Sequence, residues 1–458
     1  MYSKDTIVST ITPSVGGSVC LIRISGELAI QIAARYFSKD ISEEQGGTFH
    51  FGKIHGTDNE IIDEVIFYLF KKPKSYTGED VIEISCHNNI FIVDQIIDLF
   101  IKEGCRLAEP GEYTKRAFLN GKMDLTQAEA VADIIASKSK QSLKNSIHIL
   151  EGELSNKISK LKDGLIDIAS LLELEIDFSE EDLDLISDEK YIEVIDNSLS
   201  QVSALLNSFK KGREYQKGVE VLITGKPNVG KSSLMNAMLG KNRVIVSHIP
   251  GTTRDLIHED VIFEDVLVRL IDTAGLRLAD DEIEKEGVDR AKELINSAEI
   301  ILVLIDVSEE IEKEDKQIIE EFLLDQKDKT LLVTNKIDKE INPLCEKYIS
   351  ALSFERIDIS AKENINIDNL KRVIYDRIQQ QNRTDSEEII ISNKRQFEIL
   401  KRIKGLLEEN KQSFVARTGF EFIAADLRIT IDALSEITGE ITTDDILNNI
   451  FSNFCIGK

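Results

Sequence analysis

The run Gly225-Lys226-Pro227-Asn228-Val229-Gly230-Lys231-Ser232 constrains this chain more than any other feature, because a glycine-rich loop of that spacing works only between a strand and a helix. Both flanks are present: Val219–Thr224 is apolar and strand-like, and Ser233–Leu239 carries a helical pattern. In that setting the backbone N–H groups of Val229, Gly230 and Ser233, with the helix N-terminus, face phosphate oxygens. Lys231 reaches the β- and γ-oxygens of a nucleoside triphosphate, and the Ser232 hydroxyl takes Mg²⁺. Further strand-like runs at Val266–Ile271, Ile300–Asp306, Thr330–Thr334 and Arg356–Ile359 alternate with helical segments, which predicts a doubly wound parallel α/β sheet.

The elements that follow the loop come in a fixed order. Gly251-Thr252-Thr253-Arg254-Asp255 stands where a switch segment belongs, and Thr253 is the residue expected to complete Mg²⁺ coordination while a γ-phosphate is bound. Asp272-Thr273-Ala274-Gly275 ends a strand, placing a carboxylate near the metal and a glycine N–H near the γ-phosphate. Asn335-Lys336-Ile337-Asp338 follows another strand. Asp338 can accept from both N1–H and the exocyclic amine of guanine, which adenine does not present together, so the tetrad implies GTP as substrate. Ser360-Ala361-Lys362 supplies a further contact to the base.

Hydrolysis needs a group to orient water, and the residue after Gly275 is Leu276, which has no hydrogen-bonding group where Ras-like enzymes use glutamine. Asp280, Asp281, Glu282, Glu284 and Glu286 lie nearby, and spacing does not choose among them. Asn228, Ser247 and the carbonyls near Ile249 offer oxygen ligands for a second cation, which would do electrostatically what an arginine finger does. The nucleotide-binding set also takes in His248 and Pro250 of the same switch.

A chain of 458 residues exceeds one core and implies about three domains. From Asp5 to Lys122, short β-rich runs (Thr6–Thr12, Val19–Ile24, Asp63–Phe70, Val81–Ser85) alternate with helical patterns at Glu27–Tyr36 and Phe91–Lys102, which implies a small α/β domain. Between Thr126 and Phe209, and again after Gln380, the spacing is helical. The expected division is 1–122, a helical part at 123–216, an inserted nucleotide domain at 217–380, and the remainder of the helical domain at 381–458.

A net charge of −26 argues against a protein that binds nucleic acid chiefly by neutralising phosphate. Much of the excess is local: Glu173 to Asp196 holds eleven carboxylates and one lysine. The five cysteines are scattered and show no zinc spacing, and no run is long and apolar enough to span a membrane, so a cytoplasmic setting is expected.

Outside the nucleotide motifs, the chain resembles the tRNA modification GTPase MnmE (TrmE) family from Asp5 to Lys458. The resemblance rests on Asp5-Thr6-Ile7-Val8, Leu21-Ile22-Arg23-Ile24-Ser25-Gly26, Ser75-Tyr76-Thr77-Gly78-Glu79-Asp80, the stretch from Pro110 to Lys122 with Asp124-Leu125, and Phe454-Cys455-Ile456-Gly457-Lys458. It implies an N-terminal domain that dimerises and binds 5-formyl- or methylene-tetrahydrofolate through Arg23, Glu83, Lys122 and Lys458. It also implies K⁺ held by Asn228, Ser247, the Ile249 carbonyl and Thr252, with Glu284 as the catalytic glutamate. The partner it implies is MnmG, which brings FAD and NADH. Together they would install an aminomethyl or carboxymethylaminomethyl group at C5 of the wobble uridine of tRNA. Ser247 stands where a threonine is common and keeps the hydroxyl. The competing reading, a ribosome-assembly or other RNA-binding regulatory GTPase, calls for a basic appendage, and this chain carries an acidic one.

Overall fold

The computed structural model describes the chain except for residues 1–4, 14–15, 179–186, 241–257, 273–294, 296–297, 314, 317–318, 320–323, 353, 382–388, 453, 455–456 and 458. It divides into two compact units. The first comprises residues 1–132, 148–199 and 402–458, and the second residues 133–147 and 200–401.

The first unit holds a mixed six-stranded sheet. Its strands are β1 (Ile7–Thr10), β2 (Val19–Ser25), β3 (Thr48–His55), β4 (Ile61–Phe70), β5 (Val81–His87) and β6 (Arg106–Leu107), in the order β3-β4-β5-β2-β1-β6. Helices α1 (Ala29–Tyr36) and α2 (Ile90–Lys102) cover it, and Ile22, Ile24, Phe67, Ile82, Ile84, Ile96 and Phe100 are buried in one core. Strand β3 was not legible in the sequence. Its large apolar residues, Phe49 and Phe51, are 71% and 58% exposed, while the covered positions are Gly52 and Ile54. Gly52 is required there, because a Cβ would lie 2.7 Å from the Phe37 ring.

The same unit contains α3 (Glu112–Leu119), then α4 (Leu125–Ala136) and α5 (Lys140–Leu150) in part. It also contains the long α6 (Glu153–Asp177) and the start of α7 (Asp188–Lys217). On α6, Leu154, Ile158, Leu161, Leu165, Ile168 and Leu172 repeat every three or four residues and are buried, giving one apolar stripe.

The second unit carries the second sheet: β7 (Val219–Thr224), β8 (His258–Phe263), β9 (Val266–Asp272), β10 (Ile300–Asp306), β11 (Thr330–Asn335) and β12 (Glu355–Asp358), ordered β12-β11-β10-β7-β9-β8. Buried residues line both faces: Val221, Ile223, Leu302, Leu304 and Val333 on one, and Leu222, Ile301, Val303, Ile305 and Leu332 on the other. Two-sided burial explains the continuous apolar runs that identify these strands. Its helices include α8 (Lys231–Leu239), α9 (Pro343–Ser350) and α10 (Ile367–Gln381).

The sheet departs from the all-parallel expectation at β8, which pairs antiparallel with β9 from His258↔Ile271 to Phe263↔Val266. The connection is Glu264-Asp265, too short for the crossover that a parallel pair needs. Helix α11 (Lys394–Val415) begins in this unit and ends in the first. Helices α12 (Phe420–Thr438) and α13 (Asp444–Ser452) complete the first unit, where α12 lies along α6. Helices from chain on both sides of the second sheet thus belong to the first unit. Among the described residues, no helix is long and apolar enough to cross a membrane.

Candidate functional site

Strand β7 delivers the chain into the loop, and three backbone positions shape it. Gly225 has φ +150°, and a Cβ there would lie 2.5 Å from the Leu304 carbonyl oxygen on β10. Asn228 is left-handed at φ +65°, a conformation asparagine tolerates better than most residues. Gly230, at φ +105°, precedes α8, and a Cβ would lie 2.3 Å from the Asn335 amide nitrogen. Small size at 225 and 230 therefore lets the loop press against β10 and β11.

Lys231 is buried, and its ammonium donates to the carbonyls of Gly225 and Lys226, both at 2.9 Å. Ser232 and Ser233 are exposed on the first turn of α8, where unsatisfied N–H groups favour an anion. Val229 is buried beneath the loop, and Asp272 is nearly buried at the end of β9.

The Asn335 side chain joins the 225–232 loop to the segment that follows β12. The Asn335 amide nitrogen donates to the Val229 carbonyl at 2.8 Å, and its amide oxygen accepts the Ala361 N–H at 2.9 Å. Lys336 is left-handed at φ +69°, a costly conformation for a side-chain-bearing residue. Its ammonium pairs with Asp306 at the end of β10. Burial alone would raise the Asp306 carboxyl, but Lys336 and the Ser308 hydroxyl and N–H hold it below the usual range. Asp338 is exposed and accepts from the buried Ser360 hydroxyl at 2.5 Å, which holds its carboxyl ionised below the ordinary value. Lys362 is exposed and lies 3.2 Å from Glu363.

The structure thus brings Asn228, Val229, Gly230, Lys231, Asn335, Lys336, Asp338, Ser360 and Ala361 to one end of the second sheet. Ser247, His248, Ile249, Pro250, Gly251, Thr252, Thr253, Thr273, Ala274, Gly275 and Glu284 lie outside the described residues, as does Lys458.

In the first unit, Arg23 on β2 and Glu83 on β5 are register partners, with Arg23 Nε 2.8 Å from Glu83 Oε1. The guanidinium lies over the rings of Tyr76, at 4.9 Å, and Tyr113, at 5.3 Å. Lys122 donates to the Pro73 carbonyl at 2.9 Å, and Gly78 lets the same 73–78 loop approach it. Gly457 packs at the end of β1, where a Cβ would lie 2.4 Å from the Thr10 carbonyl oxygen.

Residues 6–122 match the family model "GTP-binding protein TrmE N-terminus", and residues 125–455 match "MnmE helical domain". A tRNA modification GTPase MnmE of Carboxydothermus hydrogenoformans is 40% identical over 464 residues, covering 99% of this chain and 100% of its own length. The chain belongs to the tRNA modification GTPase MnmE family. Its counterpart in Cytophaga hutchinsonii is 41% identical over 459 residues, covering 99% of this chain and 98% of that one. The one in Aquifex aeolicus is 40% identical over 456 residues, covering 99% and 100%.

Several residues in the MnmE-like segments serve the fold. Arg116, fully buried, donates to the Asp5 carboxylate at 2.7 Å, the Asp5 carbonyl at 2.8 Å, Glu112 at 2.9 Å and Glu79 at 3.2 Å. Arg106 reaches Asp5 and Glu112 from the other side. Ser25 links Thr77 and Glu79, each at 2.7 Å. The motif segments hold Asp5, Ser25, Thr77, Glu79, Glu112 and Arg116 but not Arg106, and their pairings are not legible in the sequence because the partners of Arg116 include residues 111 and 37 positions away. Cys20, Cys86, Cys105 and Cys345 are free and buried, as packing residues are, and burial pushes the Cys86 thiol up to about 12. Cys455 lies outside the described residues.

Proposed function

We propose that this chain hydrolyses GTP and couples the hydrolysis to modification of the wobble uridine of tRNA with a folate-borne carbon. As a member of its family it is a GTP hydrolase of tRNA modification. The observation that carries the nucleotide reading is the bond from Asn335 to the Val229 carbonyl, which ties the guanine-reading loop to the phosphate loop. Lys231 meets the β- and γ-phosphates, exchanging its carbonyl partners for phosphate oxygens, while the exposed Ser232 and Ser233 sit at the anion-favouring helix start. Asp338, kept ionised by Ser360, accepts the two guanine donors. Mg²⁺, held by Ser232 and Thr253, would neutralise charge on the triphosphate when bound.

With Leu276 unable to orient water, Glu284 takes that role, and Asn228, Ser247, the Ile249 carbonyl and Thr252 would hold K⁺, which would supply positive charge beside the phosphates in a pair of nucleotide domains. For the carbon donor, the residues fit a reduced folate. Glu83 is a carboxylate for the amine edge of a pterin, and Arg23, Lys122 and Lys458 are cations for the glutamate tail. The homodimer, MnmG with its FAD, and a cytoplasmic setting complete this reading.

GTP turnover is expected to be faster in K⁺ than in Na⁺, with Glu284→Ala slowing hydrolysis and leaving GTP affinity near wild type. Equal rates in the two salts would refute the cation role. Titration with formyl-tetrahydrofolate is expected to show binding that Arg23→Gln weakens, and an absence of binding to the wild type would remove the folate reading.

A further inference from the structure

We propose that Lys226 is a positioning residue for the nucleotide, offsetting part of the charge of an acidic segment that would otherwise repel phosphate more strongly and anchoring the rim of the phosphate loop to that segment. The proposal rests on the nucleotide reading above and deepens it.

Lys226 is the second residue of the loop, a position that the loop's glycine, lysine and serine pattern leaves open. Its side chain is 8% exposed, and its ammonium lies 3.4 Å from Glu309, 3.5 Å from Glu312 and 3.6 Å from Asp315. Burial by itself would lower the ammonium's pKa, but these carboxylates hold it above the ordinary lysine value, so the group is charged.

The acidic segment leaves the end of β10, the strand whose Leu304 packs on Gly225 and whose Asp306 holds Lys336. Asp315 is 3% exposed and accepts the Glu312 N–H at 3.0 Å, so the segment is closed on itself as it meets Lys226. The Lys226 carbonyl accepts from the Lys231 ammonium at 2.9 Å. One residue therefore joins the acidic segment, through its side chain, to the phosphate-binding lysine, through its backbone.

Three carboxylates face one ammonium beside a loop built for anions. Removing the ammonium leaves all three acting on whatever phosphate the loop holds. At an effective dielectric of about 20 and separations on the order of 10 Å, each such repulsion is large enough to weaken an anion several-fold, and salt screens it over about 8 Å.

The test is titration of the full-length chain with methylanthraniloyl-GDP and methylanthraniloyl-GTP at low and high salt. Lys226→Met is expected to weaken both nucleotides about fivefold to tenfold at low salt, with the deficit shrinking as salt rises. Lys226→Arg should restore affinity to within about twofold. Adding Glu309→Gln and Glu312→Gln to Lys226→Met should recover most of the loss, which a spacer role for Lys226 would not produce. Should Lys226→Met fail to fold, Glu309→Gln/Glu312→Gln in the otherwise wild-type chain serves instead, with tighter nucleotide binding expected. Wild-type affinity in Lys226→Met, no recovery in the triple variant, or unchanged affinity in the double variant overturns the role of Lys226. A wild-type chain that binds neither nucleotide overturns the nucleotide reading itself.

Discussion

Arg116 in the first unit and Lys231 in the second are both buried cations in motif segments, yet their surroundings assign them opposite tasks. Arg116 is met by the carboxylates of Asp5, Glu79 and Glu112, so its charge is answered inside the fold. Lys231 donates to two backbone carbonyls, at the start of a helix whose next residues are exposed. The charges around Arg116 come from three segments of the fold, whereas Lys231 stands beside the exposed Ser232 and Ser233 at a helix start, where the proposed phosphate would bind.

The largest effect expected from this contrast is on stability. Arg116→Met removes the shared partner of three carboxylates and should cost on the order of 3–5 kcal/mol, read from the urea midpoint of the full chain. A cost under about 1 kcal/mol would break the comparison from the structural side. Lys231→Ala should instead leave the urea midpoint nearly unchanged and weaken guanine nucleotides about 100-fold, equivalent to about 2.7 kcal/mol. Retained affinity would break it from the ligand side.

A sharper test of the second region is Asp338→Asn, which replaces an acceptor of two guanine N–H groups by a side chain that also donates. Preference should shift from GTP toward xanthosine triphosphate, whose C2 carries an oxygen, by at least about tenfold in competition assays.

The smallest effect is the pH dependence of stability in the first unit. Burial alone would raise the Asp5 and Glu112 carboxyls, but Arg106 and Arg116 lower them further, so both end below the ordinary carboxylate values of 3.8 and 4.5. A lowered folded-state pKa means that the unfolded chain binds more protons near those values. The stabilisation is therefore full above about pH 4.5 and is lost as pH falls through the folded values. Arg116→Met should flatten that acid limb in urea titrations across this range, and an unaltered slope would detach Arg116 from the carboxylates.

The contrast also explains how far the sequence could be read. The phosphate loop is contiguous, its glycines answer local steric demands, and its flanking strand is buried on both faces, so motif and context appear together between Val219 and Leu239. The guanine tetrad is equally local. The Arg116 network was not legible, because its partners come from the N-terminal strand region, the 73–80 loop and α3, and nothing in the spacing of Asp5, Glu79 and Glu112 announces that they converge. Strand β8 escaped because its turn, Glu264-Asp265, has no glycine or asparagine, although Glu264 adopts φ +54°. The anchor of Lys226 was hidden for the same reason as the Arg116 network: its carboxylates lie more than eighty residues downstream.

The most direct test of the central claim, that GTP hydrolysis at this loop drives wobble uridine modification, is mass analysis of tRNA wobble uridines from cells lacking the chain and complemented with wild type or Lys231→Ala. The account predicts that the C5 substituent disappears on deletion, returns with wild type and stays absent with Lys231→Ala. Full modification in the deleted cells, or full rescue by Lys231→Ala, would contradict it.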